Sequence, residues 1–273
     1  MQAHSQWSPP TGTLGAIVAE AQLRAAALEP RLDSFSNAVS ALPLAPCLEA
    51  ALRQPTVALL AEVKRQSPSK GLIAGSLDAV EQAGAYRDGG AAGVSILTEP
   101  KHFGGSLQDL RNVIRRLGLP VLKKDFHVAP AQLYEARAEG ASAALLIVRA
   151  VSPEVLKELA SCGRLLRLEL LFEIRDEREL EQAIGAGATM IGVNNRNLET
   201  LVIDPATAER LIPLIPSHIV AIAESGVNTR ADVERYAAVG ADAVLVGSSL
   251  SASADPAAAT RALAGVDRRA RGG

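Results

Sequence analysis

The sequence is short of cysteine, of aromatic rings and of net charge. Cys47 and Cys162 are its two cysteines and stand in no metal-ligand or redox spacing, which excludes a disulfide framework and fits idle or buried thiols in a reducing cytoplasm. The 28 Lys and Arg against 30 Asp and Glu leave a formal charge of −2, so nothing electrostatic argues for nucleic acid or an anionic membrane as partner. No apolar run approaches the ~20 residues of a spanning helix. The first dozen residues hold neither Lys nor Arg, and no secretory leader is expected. His4, His102, His127 and His218 are scattered without ligand spacing, so no metal site is read. Walker loop, nucleophile elbow and dinucleotide fingerprint are all missing. Aromatic residues make up 3% of the 273, against 48% hydrophobic overall. A core of this size must therefore be built from Ala, Val, Ile and Leu.

Short apolar runs recur along the chain, separated by helical stretches. Strands are predicted at about 57–64, 93–97, 120–124, 143–148, 169–173, 189–193, 218–223 and 243–246. Amphipathic helices are predicted over Asp78–Asp88, Pro130–Ala138, Pro153–Cys162, Glu177–Ala186 and Arg230–Val239. Turn or capping signals at Ser76, Ala129-Pro130, Ser152-Pro153, Asp176 and Asn228-Thr229 open them. Runs apolar on both faces belong to a parallel sheet covered by helices. Eight strand–helix units in this length point to a single closed (β/α)8 TIM barrel; an open doubly wound sheet is the rival, because period alone does not establish closure. Residues 1–55 stand outside the repeat, with a helix at about Thr13–Ala27, a proline-punctuated stretch at 42–46 and a short helix before Pro55. They read as an N-terminal extension packed on a barrel of residues 56–265, followed by a frayed tail over 266–273.

Chemistry in such barrels sits at the C-terminal strand ends, and there polar residues interrupt the apolar runs repeatedly. Glu62 and Lys64 share one face of the first strand. Lys124 ends the third strand while Lys123 should face the helices. Glu173, Asn194 with Arg196, Glu224-Ser225 and Gly247-Ser248 end later ones. Lys64 or Lys124 alone could equally be an ion-pair partner for Glu62 or Glu173. Glu173 is harder to dismiss, because an unpaired carboxylate after Leu170-Leu171-Phe172 is expensive to bury. Gly226 and Gly247-Ser248 follow the last two strands, where barrels often hold a phosphate on backbone N–H groups. The first loop, Ser67-Pro68-Ser69-Lys70-Gly71, adds hydroxyls and a cation near Lys64.

At these residues the chain resembles the indole-3-glycerol-phosphate synthase family. The match runs through Ala61-Glu62-Val63-Lys64-Arg65-Gln66-Ser67-Pro68-Ser69-Lys70-Gly71, Leu97-Thr98-Glu99, Phe103-Gly104-Gly105-Ser106 and Leu122-Lys123-Lys124-Asp125-Phe126. It continues in Phe172-Glu173, Gly192-Val193-Asn194-Asn195-Arg196-Asn197-Leu198, Ala223-Glu224-Ser225-Gly226 and Val246-Gly247-Ser248-Ser249, covering roughly 48–250. The resemblance implies a (β/α)8 barrel with an N-terminal helical segment. It implies closure of 1-(2-carboxyphenylamino)-1-deoxyribulose 5-phosphate to an indole, with loss of carbon dioxide and water. Lys124 would be the general acid with Lys64 a second candidate, and Glu173 the later base. Glu62, Asn194 and Glu224 would orient the lysines and hydroxyls. Arg196 and Ser225 would hold the anthranilate end between apolar walls from Phe103, Phe126, Leu145, Leu198 and Leu201. The phosphate would lie on Gly226, Gly247 and Ser248, assisted by Lys64 and Ser67. No thiamine, pyridoxal or metal cofactor would be required, and the partner would be this small phosphorylated substrate, met by a monomer.

The departures from the family pattern lie mostly outside the barrel. The first helix lacks the family's Lys- and Glu-rich face, with Pro30 ending it early, and His127 replaces an aliphatic residue. Two other readings stay open on the residues alone: a Schiff-base aldolase with Lys124 or Lys64 as nucleophile, and a non-catalytic phosphometabolite sensor.

Overall fold

Runs that are apolar on both faces have to be covered on both, and the eight such runs of this chain form one ring. In the computed structural model, which describes residues 7–271, they are β1 (Ala58–Val63), β2 (Gly93–Leu97), β3 (Val121–Lys124), β4 (Ala143–Ile147), β5 (Glu169–Ile174), β6 (Met190–Asn194), β7 (Val220–Glu224) and β8 (Ala243–Val246). Each lies parallel to its sequence neighbours, and β8 closes on β1 through the pairs Ala58–Ala243 to Ala61–Val246. Closure removes the open-sheet alternative. It also leaves no exposed strand edge in the barrel.

Three helices precede the ring: α1 (Gly12–Leu28), α2 (Leu32–Ala41) and α3 (Leu48–Leu52). Pro30 does not end the helical segment outright. It sits in a single 3-10 turn, Glu29–Arg31, that leads from α1 into α2, because proline at the start of a helical turn gives up an N–H that would be unpaired anyway. The layer around the ring consists of α4 (Ala79–Asp88), α5 (Pro100–Phe103), α6 (Leu107–Leu117), α7 (Pro130–Ala138), α8 (Pro153–Leu166), α9 (Glu177–Gly185), α10 (Ala206–Leu211), α11 (Arg230–Ala238), α12 (Ser248–Ser251) and α13 (Pro256–Leu263). The predicted caps Ser152, Asp176 and Thr229 accept backbone N–H groups as expected. Ser76 does not; Asp78 caps α4 instead, taking the N–H groups of Val80 and Glu81. Gly90, Gly140, Gly187 and Gly240 leave their helices with φ between +86° and +96°, a conformation that spares the next strand a Cβ clash.

The end opposite the strand carboxyl termini is sealed. Leu48 and Leu52 of α3 are fully buried beneath the ring. Residues 266–271, expected to fray, are instead tied down: Val57 donates to Val266 O at 2.8 Å, and Thr56 bridges Asp267. Arg268 and Arg271 reach the two oxygens of Asp242 at 2.5 and 2.7 Å. A basic tail becomes ordered when it lands on a buried carboxylate that needs neutralising. The last two residues of the expected tail, like His4 and the rest of residues 1–6, lie outside the described residues. Cys47 is exposed, not buried; its thiol donates to Glu169 and accepts from Ala50 N–H at the start of α3.

Candidate active site

Strand alternation decides which polar side chains enter the barrel. On β1, Glu62 points inward, and Lys64 just beyond the strand follows it on the same face. On β3, Lys124 points inward while Lys123 turns out to the helix layer, where its ammonium pairs with Glu135 at 2.7 Å and is almost fully buried. The inward ends of β5, β6 and β7 supply Glu173, Asn194 and Glu224. All of these meet in one open-mouthed cavity, with about 1150 Å³ of empty space counting the solvent at its mouth. Every site residue expected from the sequence lines it: Ser67, Phe103, Phe126, Leu145, Arg196, Leu198, Leu201, Ser225, Gly226, Gly247 and Ser248 join the charged group.

At the centre Lys124 Nζ lies 3.1 Å from Glu173 Oε2 and 2.6 Å from Glu224 Oε2. Glu173 Oε1 accepts from Asn194 Nδ2 at 2.8 Å, and Asn194 Oδ1 accepts the Arg196 N–H at 2.9 Å. Lys64 Nζ pairs with Glu62 at 2.5 Å, and Ser95 Oγ donates to the other oxygen of that carboxylate at 3.3 Å. The ion-pair reading of both lysines is thus correct as far as it goes. Its consequence is chemical. Burial alone would lower the Lys124 ammonium, but the carboxylates of Glu224, Glu173 and Glu62 outweigh it and hold the group well above the usual lysine range. Burial pushes the Glu224 carboxyl up, to about 7, against the pull of Lys124 and with the help of Glu173. The site holds a firmly charged ammonium beside a carboxyl that titrates near neutrality.

Two glycines make room for these carboxylates. A Cβ on Gly192 would fall 1.9 Å from Glu224 Oε1, and one on Gly247 2.7 Å from Glu62 Oε1. Gly247 therefore serves Glu62 as well as any anion beyond β8. The backbone after β7 bends sharply: Ser225 and Gly226 both have positive φ, +66° and +85°. Of the three non-glycine residues with positive φ among those described, Ser225 and Leu201 line the cavity, and such strain tends to gather at functional sites. Asn195, which the sequence reading passed over, holds this bend. Its Nδ2 donates to Ser225 O and to Tyr236 Oη, both at 2.9 Å, and its Oδ1 accepts the Ala208 N–H. The signal for it was weak, since a second Asn in a polar strand end resembles any loop residue.

The extension was expected to pack on the barrel, but its residues that reach the cavity were not singled out. Thr13, Leu14 and Ile17 of α1 line the cavity beside Phe103 and Leu198. Thr11 and Glu199 join across the mouth through the Thr11 N–H at 2.7 Å, and Arg149 reaches the same carboxylate at 3.0 Å. His127, the departure beside Phe126, points away from the cavity: its Nδ1 donates to Leu145 O at 2.7 Å. Burial first, then Lys123, pulls its ring down to about 4, so it is neutral and structural.

The chain as a whole is similar to known proteins. A profile of the family described as indole-3-glycerol phosphate synthase matches residues 15–263. The indole-3-glycerol phosphate synthase of Mycolicibacterium smegmatis is 46% identical over 228 residues, 84% of each chain. Indole-3-glycerol phosphate synthase 1 of Streptomyces coelicolor is 52% identical over 207 residues, 76% of this chain and 77% of that one. Among solved structures, 3-hexulose-6-phosphate synthase from Salmonella typhimurium superposes with a TM-score of 0.62 at 14% identity, covering 76% of this chain and 96% of that one. That last likeness concerns the fold alone.

Proposed function

The chain belongs to the indole-3-glycerol phosphate synthase family, and we propose that Lys124, Glu173 and Lys64 carry its chemistry. The enzyme is a carboxy-lyase: 1-(2-carboxyphenylamino)-1-deoxyribulose 5-phosphate closes to indole-3-glycerol phosphate, losing carbon dioxide and water. As the ring carbon bearing the carboxylate attacks the carbonyl carbon, the carbonyl π pair moves onto oxygen. Lys124 meets that charge and delivers a proton to it. Loss of carbon dioxide returns the C–C pair to the ring. Glu173 takes the proton released as the hydroxyl leaves as water, with Lys64 the second acid at hand.

The observation that carries this reading is the Lys124 ammonium, partly buried at the mouth between Glu173 and Glu224. It is preorganised, stays charged, and is desolvated enough to act strongly on an oxyanion. The same observation weighs against a Schiff-base aldolase, since imine formation needs a free amine and the three carboxylates keep Lys124 protonated. Glu62, Asn194 and Glu224 are the orienting groups. Arg196 and Ser225 hold the anthranilate carboxylate, between walls of Phe103, Phe126, Leu145 and Leu198. The phosphate sits on Gly226, Gly247 and Ser248, with Lys64 and Ser67 beside it. The proposal extends to the setting: a monomer in the cytoplasm, residues 1–55 an N-terminal extension on the barrel and 56–265 the catalytic barrel. No described helix is long and apolar enough to cross a membrane.

Indole-type fluorescence should develop when purified protein meets the carboxyphenylamino-deoxyribulose phosphate, and borohydride should trap no covalent adduct. A lysine adduct at Lys124 would overturn the general-acid role.

A further inference from the structure

Behind the aromatic wall one cation ties three elements together. The α1 helix carries only two charged side chains, Glu20 and Arg24, one turn apart on the face toward the barrel. Arg24 Nη2 donates to Asp125 Oδ1 at 2.8 Å, and Nη1 lies 3.5 Å from Glu99 Oε1. Both carboxylates are buried, Glu99 completely. Each also holds the backbone of a phenylalanine. Glu99 caps α5 by accepting the N–H groups of Lys101, His102 and Phe103 at 3.1, 2.6 and 3.0 Å. Asp125 Oδ1 accepts the Phe126 N–H at 2.8 Å, and its Oδ2 takes the Thr98 hydroxyl at 2.6 Å. The two rings stand with centroids 6.0 Å apart, tilted by 37°.

We infer that Arg24 is a positioning residue for the aromatic wall: through Glu99 and Asp125 its guanidinium sets the spacing of Phe103 and Phe126. Docking of α1 and binding of the substrate's aromatic ring are then one event. The inference rests on the reading that these rings hold the anthranilate ring. The physical reason is that Arg24 engages both carboxylates at once; Lys123 also holds the Asp125 carboxyl down, more strongly than Arg24 does. Without Arg24 the two buried carboxylates lose the charge they share, and their repulsion acts on the backbones they cap. A planar fork suits this task because it engages two acceptors in different directions at once, which a lysine cannot do. Glu20 completes the clasp with opposite sign, pairing with Lys101 and His102. Glu20, Glu99 and His102 stand close enough to suggest a metal site, but Glu99 is committed to three N–H groups and Glu20 to its cations.

The test is a mutant cycle read by KM and kcat. Arg24→Met should raise KM for the substrate about tenfold while kcat changes less than about threefold. Arg24→Lys should recover part of the loss, and it replaces Arg24→Met in the cycle if that variant fails to fold. Glu20→Gln removes the neighbouring half of the clasp and should stay within about twofold of the parent. Because Arg24 acts through the wall, the double variant with Phe103→Ala should have a KM within about twofold of Phe103→Ala alone. Effects that multiply, or an Arg24→Met KM no higher than that of Glu20→Gln, would overturn the positioning role. An unchanged KM in Phe103→Ala would instead overturn the aromatic-wall reading, and the positioning role with it.

Discussion

At the sealed end of the barrel Asp242 carries an arginine on each oxygen and a backbone N–H besides; at the open mouth Glu62, Glu173 and Glu224 share Lys64 and Lys124. At the sealed end the carboxylates are satisfied on both oxygens, although Arg271 Nε is buried without a partner. Glu169 accepts the N–H groups of Leu48 and Glu49 and the Cys47 thiol, and Arg137 donates to three carbonyls, those of Leu42, Pro43 and Leu166. At the mouth, Glu224 Oε1 is buried with no hydrogen-bond partner, and three carboxylates outnumber two ammoniums. A buried polar atom left unpaired costs about 1–3 kcal/mol. Both ends are built from strand termini of one sheet, so the difference is not one of fold. Carboxylates that hold a structure together are paired on both oxygens, whereas a carboxylate that awaits a substrate keeps an oxygen in reserve.

The contrast breaks most visibly at Lys124. Replacing it with Ala should lower turnover by about 10⁴-fold, the upper range for a positioned acid, in a protein that remains folded by circular dichroism. Glu173→Gln keeps the shape and removes the base, and should lower kcat by about 10³-fold with little change in thermal midpoint. At the sealed end the effects reverse. Asp242→Asn leaves Arg271 buried beside a neutral amide and should remove about 3 kcal/mol of stability by urea unfolding, with kcat near normal in the folded fraction.

The smallest effect belongs to a group at neither end. His127 has its pKa depressed to about 4 in the fold, from about 6.5 unfolded. The unfolded chain takes up the proton first, so the stability the neutral ring contributes is full above pH 6.5 and is lost as pH falls toward 4. Unfolding free energies measured along that window should fall about 2 kcal/mol less steeply in His127→Leu than in the parent. An equal slope would place the proton elsewhere.

Most of the barrel was legible. All eight strands lie within two residues of their predicted limits, because runs such as Ala143–Ile147 are apolar on both faces and only a covered parallel strand accepts that. The lost helices have reasons. Residues 205–216 are crowded with Pro205, Pro213 and Pro216, and α13 is so rich in alanine that Leu263 is its one large apolar residue. The Ser106 cap and the spacing Leu107, Leu110, Val113, Leu117 of α6 were available and went unread. In the site, the inward residue at each strand end followed from alternation alone. Partners followed only in part: Glu62 and Lys64 share a strand face, but Lys124 meets Glu224 across 100 residues of chain, a contact that only closure of the ring decides. The tail was misjudged for the same reason, since nothing local in Asp267–Arg271 reveals that Asp242 waits beneath it.

The two ends can be set against each other in one experiment: turnover of the carboxyphenylamino-deoxyribulose phosphate and urea unfolding, measured side by side on Lys124→Ala and Asp242→Asn. The account predicts a crossed result, with the first variant inactive and as stable as the parent to within about 1 kcal/mol, and the second active and about 3 kcal/mol less stable. Near-normal turnover in Lys124→Ala, or a loss of stability there equal to that in Asp242→Asn, would contradict it.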